Sequence, residues 1–291
     1  MLLQQFINGI TIGSTYALVA IGFTMIFGVL ELTNFSNSSL YRFGAYVTWL
    51  LYGVGINFFV AFALSIALTG LLGFSIDRFA LRLLRKRHAP KLSGLITTLG
   101  MSMVIDNAIM VFCGTDSKSF ENHLDFGKVY IGNAIISWTQ IIILIVGFSL
   151  MIALSILVYR TKIGKAMTAI AQNQDAAKLM GIDTNKVIEL TFVISGVLAC
   201  IAGTMVAMYY RSIETTMGSL IGTKIFAAAI LGGVGILPGA MVGGILLGIV
   251  ETMVSAYIST GYRDAISFTI LIVVLLFMPN GMFGKKAINK V

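Results

Sequence analysis

The sequence predicts an all-α fold, a polytopic bundle of membrane-spanning helices that forms a single transmembrane domain over residues 1–291. The chain is 57% hydrophobic and only 11% charged, whereas charged residues make up about 25% of soluble domains. Its long apolar runs approach the roughly 20 residues that a helix needs to cross a bilayer. Helices satisfy their backbone hydrogen bonds internally, and unbroken apolar runs of this length exclude a membrane β-barrel.

Eight apolar segments follow one another along the chain. The first lacks a preceding basic region and is too long for a cleaved signal peptide, so we interpret it as a retained helix. The seventh is too long for one helix, and Pro238 and Gly239 interrupt it, which predicts a broken or re-entrant helix there. The segments lie near residues 6–30, 36–54, 57–76, 93–113, 138–158, 188–210, 224–258 and 264–278.

The basic residues of the loops predict the orientation of the chain. The loops at 78–91 and 160–186 are rich in Lys and Arg, so both are expected on the cytoplasmic side. Segment 285–290 contains three lysines and places the C-terminus there too, whereas loop 114–137 has no positive excess and is expected outside. The N-terminus is then predicted outside, which requires an odd number of crossings. The net charge of +8 reflects these loops, and no nucleic-acid partner is expected.

The longest polar stretch on the predicted cytoplasmic side is organised as a short helix. Asn173 suits its N-cap, Asp175 lies in the first turn, where the helix dipole favours a negative charge, and Gly181 suits the position after the helix. Such a helix is either a docking element for a partner protein or one turn in a solvated loop. The side chains available for contact are Ala176, Ala177, Leu179 and Met180.

Several blocks, in the same order, resemble the LivH-like permeases of branched-chain amino acid ABC importers. They are Gly9–Gly22, Asn34-Phe35 followed by Gly44-Ala45-Tyr46, Gly164–Ile182, Leu231–Ala240 and Leu275–Gly284. The resemblance implies a permease subunit that moves small, most often branched-chain, amino acids across the bacterial cytoplasmic (inner) membrane. Related permeases for urea, short amides or other amino acids keep these solutes open as alternatives.

The resemblance also implies partners and a coupling element. The partners are a second homologous permease, two ATP-binding subunits that hold ATP and Mg, and an extracytoplasmic solute-binding protein. The loop at about 159–187 is then the ATPase-coupling element of the permease domain. Its assigned residues are Gly164, Lys165, Asn173, Asp175, Ala176, Ala177, Leu179, Met180 and Gly181.

ATP is expected to act through a partner, because this chain lacks a phosphate-binding loop. That loop reads G-x-x-x-x-G-K-[ST] and surrounds phosphates with backbone N–H groups. The two Gly-Lys pairs, Gly164-Lys165 and Gly284-Lys285, have neither the earlier Gly nor the following Ser or Thr. We therefore expect no catalytic residue and no bound cofactor in this chain, and we do not interpret it as an enzyme.

The second apolar segment begins with an unusually polar cluster. Polar groups at membrane depth are costly unless they are paired or face water, so the cluster either lines a translocation path or caps a helix end. The sequence has Asn37-Ser38-Ser39 where the LivH-like family commonly has His-Gly-Glu. The residues assigned to the putative path here are Asn34, Asn37, Ser38, Ser39 and Tyr41.

Glycines are dense in the broken seventh segment, and G-x-x-x-G spacings there let helix backbones approach closely. They indicate either tight helix packing or broken helix ends that meet a zwitterionic solute. The glycine-rich stretches 9–28 and 232–248 also suggest a weak inverted duplication of the chain. The residues assigned to the putative path in this part are Gly232, Gly233, Gly235 and Glu251.

Charged side chains within the apolar segments are few. Asp106 and Glu251 lie deep, where a charge costs about 3 kcal/mol or more, so each is expected to pair, face the interior or be protonated. Snorkelling at predicted helix ends is the interpretation for five others. These are Glu189, Arg211, Lys224, Arg263 and Asp264.

Two further classes of function fit the sequence poorly. An ion-coupled secondary transporter or a channel needs ionisable groups along its path, and only Asp106 and Glu251 are candidates. An intramembrane enzyme needs a nucleophile with a base, or metal ligands, inside the bilayer. The sequence contains no such set, and His88 and His123 lie far apart in loops, so no metal site is expected.

Overall fold

The computed structural model describes residues 2–87, 89–121, 127–131, 134–278 and 281–284. Long α-helices dominate this part of the chain. Within it, seven helices are long and apolar enough to cross a bilayer. The predicted all-α, polytopic membrane bundle is therefore confirmed.

Each of the eight predicted apolar segments coincides with a helix or with a pair of helices. A π-helical turn (Ile76–Leu81) joins α3 to α4, and a 3-10 turn (Thr260–Tyr262) precedes α12. The helices are α1 (Leu2–Leu30), α2 (Ser36–Gly53), α3 (Phe58–Ser75), α4 (Arg82–Lys86), α5 (Lys91–Cys113), α6 (Trp138–Arg160), α7 (Lys162–Gln172), α8 (Gln174–Leu179), α9 (Thr184–Tyr210), α10 (Met217–Gly232), α11 (Leu237–Tyr257) and α12 (Arg263–Phe277).

The seventh predicted segment is broken, as expected, between α10 and α11. Gly233 and Gly235 have φ angles of 107° and 84°, a region that glycine adopts without steric cost. Pro238 lies in the first turn of α11, where its missing N–H has no helical partner to lose. The proline therefore begins a helix and does not kink one.

The basic segment after α3 is more helical than the sequence suggests. Helical structure continues through the π-helical turn to Lys86, where an ordinary loop was expected from residue 78. Arg85 bonds the fully buried Asp77 at 2.6 Å between Nη1 and Oδ1. Arg82 reaches Glu189 at the start of α9 at 2.7 Å between Nη1 and Oε1. The snorkelling interpretation of Glu189 is therefore wrong, because this carboxylate pairs within the protein.

Small residues let the central helices pack at very short separation. α1 and α9 lie at the centre of the bundle, and α1 runs antiparallel to α11. A Cβ atom at Gly248 of α11 would lie 2.3 Å from the Cα atom of Gly13 in α1. Gly244 approaches Ala17 in the same way, at 2.5 Å. The interpretation of the glycines as tight packing sites is thus confirmed for the α1–α11 contact.

The packing of the first helices is repeated, in the same chain order, by later ones. α1 packs on α11 and α10, while α9 packs on α3 and α2. Likewise α2 contacts α3 and α5, and α10 contacts α11 and α12. This pattern relates α1, α2, α3 and α5 to α9, α10, α11 and α12, as in transporters with inverted repeats. The stretches 9–28 and 232–248, suggested above as duplicates, instead pack against each other.

Two helices begin inside the bundle after non-helical segments. Residues 31–35 lead into α2, and the Asn37 side chain in its first turn reaches the carbonyl of Val19, in the middle of α1. Residues 214–216 lead into α10, and the carbonyl of Thr215 accepts a hydrogen bond from Arg42 of α2. Irregular backbone at this depth is tolerated only where protein or a cavity surrounds it.

The loops collect at two opposite ends of the bundle. The Arg82–Glu189 pair joins the two basic loops at one end. At the other end, two short antiparallel sheets were not predicted from the sequence: β1 (Lys118–Ser119) pairs with β4 (Ser212–Ile213), and β2 (Lys128–Ile131) pairs with β3 (Ala134–Ser137). The lysine-bearing segment 285–290 lies outside the described residues. Which end faces the cytoplasm therefore stays a prediction.

Candidate functional site

The loop between α6 and α9 is built around tight turns. The Thr161 hydroxyl accepts a hydrogen bond from the Gly164 N–H at 3.3 Å and caps α7. A Cβ atom at Gly164 would lie 1.9 Å from the carbonyl oxygen of Val158, so only glycine fits. Lys165 continues this first turn, and its N–H donates to the Thr161 carbonyl at 3.1 Å. The reversal from α6 into α7 is therefore tightly constrained.

The short helix α8 has the caps that the sequence predicts. The Asn173 side-chain oxygen accepts from the N–H groups of Asp175 and Ala176, each at 3.0 Å. Asp175 lies in the first turn and pairs with Lys178 at 3.0 Å. Gly181 has a φ angle of 82° just after the helix, as a left-handed terminating residue does. The predicted two-turn helix is confirmed.

The carboxyl end of α8 exposes apolar side chains. Leu179 is 89% exposed and Met180 is 82% exposed, while Ala176 is also exposed. Ala177 is only 3% exposed and packs in the hydrophobic core. The prediction that both alanines are open to another surface is therefore wrong for Ala177, because its side of α8 faces α9.

The end of the loop is capped by Asp183, which accepts a hydrogen bond from the Lys186 N–H at 3.2 Å. That backbone hydrogen bond, supported by the Lys186 side chain, lowers the pKa of the Asp183 carboxyl. The charged form therefore caps α9 at neutral pH. Both ends of the loop are thus joined to membrane helices by short capped turns.

The inner face of α7 and the break between α10 and α11 line the same cavity. Met167 and Ile170 are buried beneath α7. A cavity of about 130 Å³, called here the α7 cavity, separates Met167 from Gly28 of α1 and from Gly235 and Leu237 of the break. The loop and Gly235 of the broken segment therefore line one shared cavity.

The glycines assigned to the path mostly serve the backbone. Gly232 lies against Gly239, where a Cβ atom would approach backbone atoms to 2.0 Å. The N–H groups of Met282 and Phe283 donate to the carbonyls of Leu231 and Gly232 at 3.0 and 3.2 Å. These bonds satisfy carbonyl groups in the last turn of α10, which have no partner within the helix. Of the assigned glycines, Gly235 lines a cavity, the α7 cavity.

The polar cluster before α2 supplies a cap at the helix end, one of the two alternatives that the sequence left open, and the path role stays a prediction. Asn34 acts as a cap, since its Oδ1 accepts from the Ser36 N–H at 3.1 Å and the Ser36 hydroxyl at 2.6 Å. Its Nδ2, although buried, has no hydrogen-bond partner among the described residues. Asn37 joins α1 to α9 by bonding the Val19 carbonyl and the Ser195 hydroxyl at 3.3 and 2.8 Å.

The remaining polar residues of α2 point in different directions. Ser38 lies against α10, where a Cβ atom at Gly222 would be 2.9 Å from its Cβ. Ser39 bonds Ser102 of α5 at 2.6 Å between the hydroxyl oxygens. Tyr41 faces a separate cavity. The residues assigned to one path thus divide among three surfaces of the same helix.

Two cavities lie on either side of the α2–α10 crossing. The smaller, the Asn34 cavity, is lined by Asn34, Asn37, Ser38 and phenylalanines, and its volume of about 10 Å³ holds at most one water. The larger, the tyrosine cavity, has about 300 Å³ and is lined by Tyr16, Tyr41 and Tyr210, with residues of α9, α10 and α12. The crossing at Gly218 and Gly222 separates them.

A cluster of buried charges lies beside the tyrosine cavity. Lys224 contacts Glu251 and bonds Asp264 at 2.9 Å, and Arg263 also contacts Glu251. Glu251 is fully buried and Lys224 is 6% exposed. Pairing of Glu251 is confirmed. The snorkelling interpretation is wrong for Lys224, Arg263 and Asp264, because Lys224 pairs with both Glu251 and Asp264, and Arg263 pairs with Glu251. The sequence signal for this cluster was that its four residues comprise two cations and two anions.

Asp106 also pairs, as expected, and its partner is Arg42 of α2. Ser102 lies one turn before it and bonds Ser39, and Thr98 lies a further turn before and accepts from the Phe35 N–H at 3.4 Å. This polar stripe fastens α5, whose described side chains are otherwise mostly exposed.

No three His, Cys, Asp or Glu side chains group to hold a metal ion in the described ranges, and His88 and His123 lie outside them. The expectations of no metal, no cofactor and no catalytic residue remain predictions for the chain as a whole.

Comparison with known proteins identifies the family. Residues 5–275 match the family described as branched-chain amino acid transport system / permease component. The chain is 39% identical to the high-affinity branched-chain amino acid transport system permease protein BraD of Pseudomonas aeruginosa, over 99% of this chain and 98% of that protein. It is also 39% identical to the corresponding LivH protein of Escherichia coli K12, over 99% and 97% of the two chains.

A solved structure supports the fold. The chain resembles PsaBC from Streptococcus pneumoniae in complex with Fab with a TM-score of 0.51 and 16% identity, covering 95% of this chain and 92% of that one. The resemblance to LivH-like permeases drawn from the sequence blocks is confirmed by the close relatives. This chain therefore belongs to the family of branched-chain amino acid transport permease components.

Proposed function

We propose that this chain is the permease subunit of an ABC importer that moves branched-chain amino acids across the bacterial cytoplasmic membrane. The names of its relatives, BraD and LivH, support the solute class. The α7–α8 loop, whose Met167 lines the same cavity as Gly235 and Leu237 of the break, supports a mechanically driven permease. This shared lining of the α7 cavity is the observation on which the proposal chiefly rests.

The proposed partners are those that membership of the permease family implies. ATP and Mg belong to two partner ATP-binding subunits, and this sequence has no phosphate-binding loop of its own. Leu179 at the end of α8 and Met180 just after it present an apolar surface for one of these subunits. A second homologous permease and an extracytoplasmic solute-binding protein complete the assembly, and the N-terminus lies outside with the C-terminus in the cytoplasm.

ATP hydrolysis in the partner subunits would act on the solute path by favouring one of two conformations of the permease. Docking contacts that differ between nucleotide states shift α7 relative to the membrane helices. Met167 of α7 and Gly235 of the break face the same cavity, so such a shift changes the space available to the α10–α11 turn. The solute path is assigned to the α2–α10 crossing, where the Asn34 and tyrosine cavities lie on opposite sides of a tight contact.

The docking role is tested by placing charge on the exposed face of α8. Leu179→Asp/Met180→Asp is expected to abolish ATP-driven leucine uptake by the importer reconstituted in proteoliposomes, with normal membrane insertion. Val54→Asp is the matched control, because Val54 is 79% exposed at the opposite end of the bundle. Unchanged uptake by the α8 variant would exclude the docking role. Gradient-driven uptake by this chain without ATP-binding subunits would exclude the importer itself.

A further inference from the structure

We propose that the tyrosine cavity is a binding site for a zwitterionic amino acid with an apolar side chain, occupied before the solute passes the α2–α10 crossing. The inference rests on the proposed transport function and adds the site and the chemistry of recognition. Ser212 and Glu214 line its mouth. They follow α9 at the end of the bundle that carries β1 and β4, the end predicted to face outward.

The size of the cavity suits a single small solute. Its volume is about 300 Å³, the lower end of the usual range for ligand pockets. A liquid water occupies about 30 Å³, so the space corresponds to roughly ten waters. A molecule with about nine non-hydrogen atoms, the size of leucine, displaces most of them.

The charges around the cavity favour a zwitterion over a solute with net charge. Lys224 and Arg263 line it, Glu251 and Asp264 pair with them, and the exposed Glu214 adds an anion to the lining. A solute with net charge would leave an uncompensated charge beside the buried Lys224–Glu251 pair, which is strongly unfavourable. A zwitterion adds one charge of each sign. Its carboxylate can meet Arg263, which two tyrosine hydroxyls already orient at 3.3 Å, and its ammonium can meet Glu214.

The Tyr41 hydroxyl supplies an unused donor at the same place. Tyr41 is fully buried and lines the cavity, yet its hydroxyl bonds nothing in the described part of the chain. A buried hydroxyl without a partner is costly. A solute carboxylate in the cavity would accept that hydrogen bond, and the hydroxyl would then be satisfied only when the site is occupied.

The remaining wall accounts for the apolar side chain. Val206 of α9 and Met217, Leu220 and Ile221 of α10 line the cavity. None of them carries a hydrogen-bonding group on its side chain, so a polar solute side chain would lose its water without replacement. α10 forms part of this wall and also carries Gly218 and Gly222 of the α2–α10 crossing. Solute binding in the cavity and the geometry of the crossing are therefore connected through one helix.

Tyr41→Phe tests the site with a matched control on the same helix. Tyr46 is also buried, its hydroxyl also lacks a partner in the described ranges, and it does not line the cavity. In the importer assembly held in nanodiscs without its solute-binding protein, Tyr41→Phe is expected to weaken radiolabelled leucine binding about tenfold, as loss of a hydrogen bond to a charged group does. Tyr46→Phe is expected to bind like the wild type.

Two further measurements distinguish failure of the proposed binding site from failure of the proposed transport function. Leu220→Trp, which fills the cavity, is expected to abolish binding, whereas the exposed Leu276→Trp on α12 is not. Isoamylamine and isocaproate, which lack the carboxylate and the ammonium group respectively, are expected not to compete with leucine. Equal leucine affinity in Tyr41→Phe, Leu220→Trp and the wild type would overturn the site while leaving ATP-driven uptake, and so the proposed function, intact.

Absence of both binding and uptake in the wild type would instead contradict the proposed function, and the site with it. Native mass spectrometry distinguishes an amino acid site from a lipid site in this cavity. A lipid retained by the wild type and lost in Leu220→Trp, without leucine binding in either, would overturn the amino acid site in favour of a lipid one.

Discussion

Replacement of Gly248 by alanine measures how strongly the bundle depends on its closest helix contact. The new Cβ atom would lie 2.3 Å from the Gly13 Cα, 2.4 Å from the Gly13 nitrogen and 2.7 Å from the Gly9 carbonyl oxygen. All three are backbone atoms, so no side chain can move aside. Because ordinary contacts are about 3.5 Å, α1 and α11 must separate by about 1 Å, and overpacking of this kind costs about 1–3 kcal/mol.

Gly100→Ala in α5 is the matched control, because no atom lies within 4 Å of its added Cβ. Alanine is favoured over glycine in a helix by about 0.5–1 kcal/mol, so this variant is expected to be slightly stabilised. The two free energies of unfolding should therefore differ by about 1.5–4 kcal/mol. SDS-induced unfolding, followed by the fluorescence of the two tryptophans, gives both values. Equal stability of Gly248→Ala and the wild type would refute the packing argument.

Two other substitutions test the buried charges and the loop. Lys224→Met removes a cation from the buried Glu251 and should lower the free energy of unfolding by about 3–5 kcal/mol. The exposed Lys186→Met should change it by less than about 1 kcal/mol, and similar losses for both would contradict the buried pair. Asn173→Ala removes the α8 cap and about 1 kcal/mol of local stability, so limited proteolysis between residues 173 and 181 should accelerate. Its neighbour Gln172→Ala should be cut at the wild-type rate, and a faster cut there as well would show that the cap is irrelevant.

Features governed by neighbours in the chain were predictable from the sequence. The apolar segments, the break before Pro238 and the caps at Asn173 and Gly181 depend on hydropathy and local backbone chemistry, and the structure confirms them. Capping by the polar cluster before α2 was one of its two interpretations, and Asn34 bonds the Ser36 N–H there. Each of these is decided within a few residues of sequence.

Features governed by distant contacts were not predictable in the same way. The apolar segment 224–258 predicts Lys224 at a helix end, but α10 starts at Met217 and buries the lysine against α11 and α12. Ala177 and Ala176 are adjacent and alike, and only the position of α9 decides which of them is buried. The tyrosine cavity is assembled from five helices, so no local pattern reveals it.

The exchange of partners between the two halves of the bundle has a consequence for synthesis. α1 is made before α11, yet its glycine face packs on α11, more than two hundred residues later in the chain. Likewise α3 can pack on α9 only after α9 has been made. The close backbone contacts of the centre therefore form only after the second half has entered the membrane, and neither half can reach its final packing alone. Fragments divided in the loop before α9 should consequently need to be produced together to yield a stable protein.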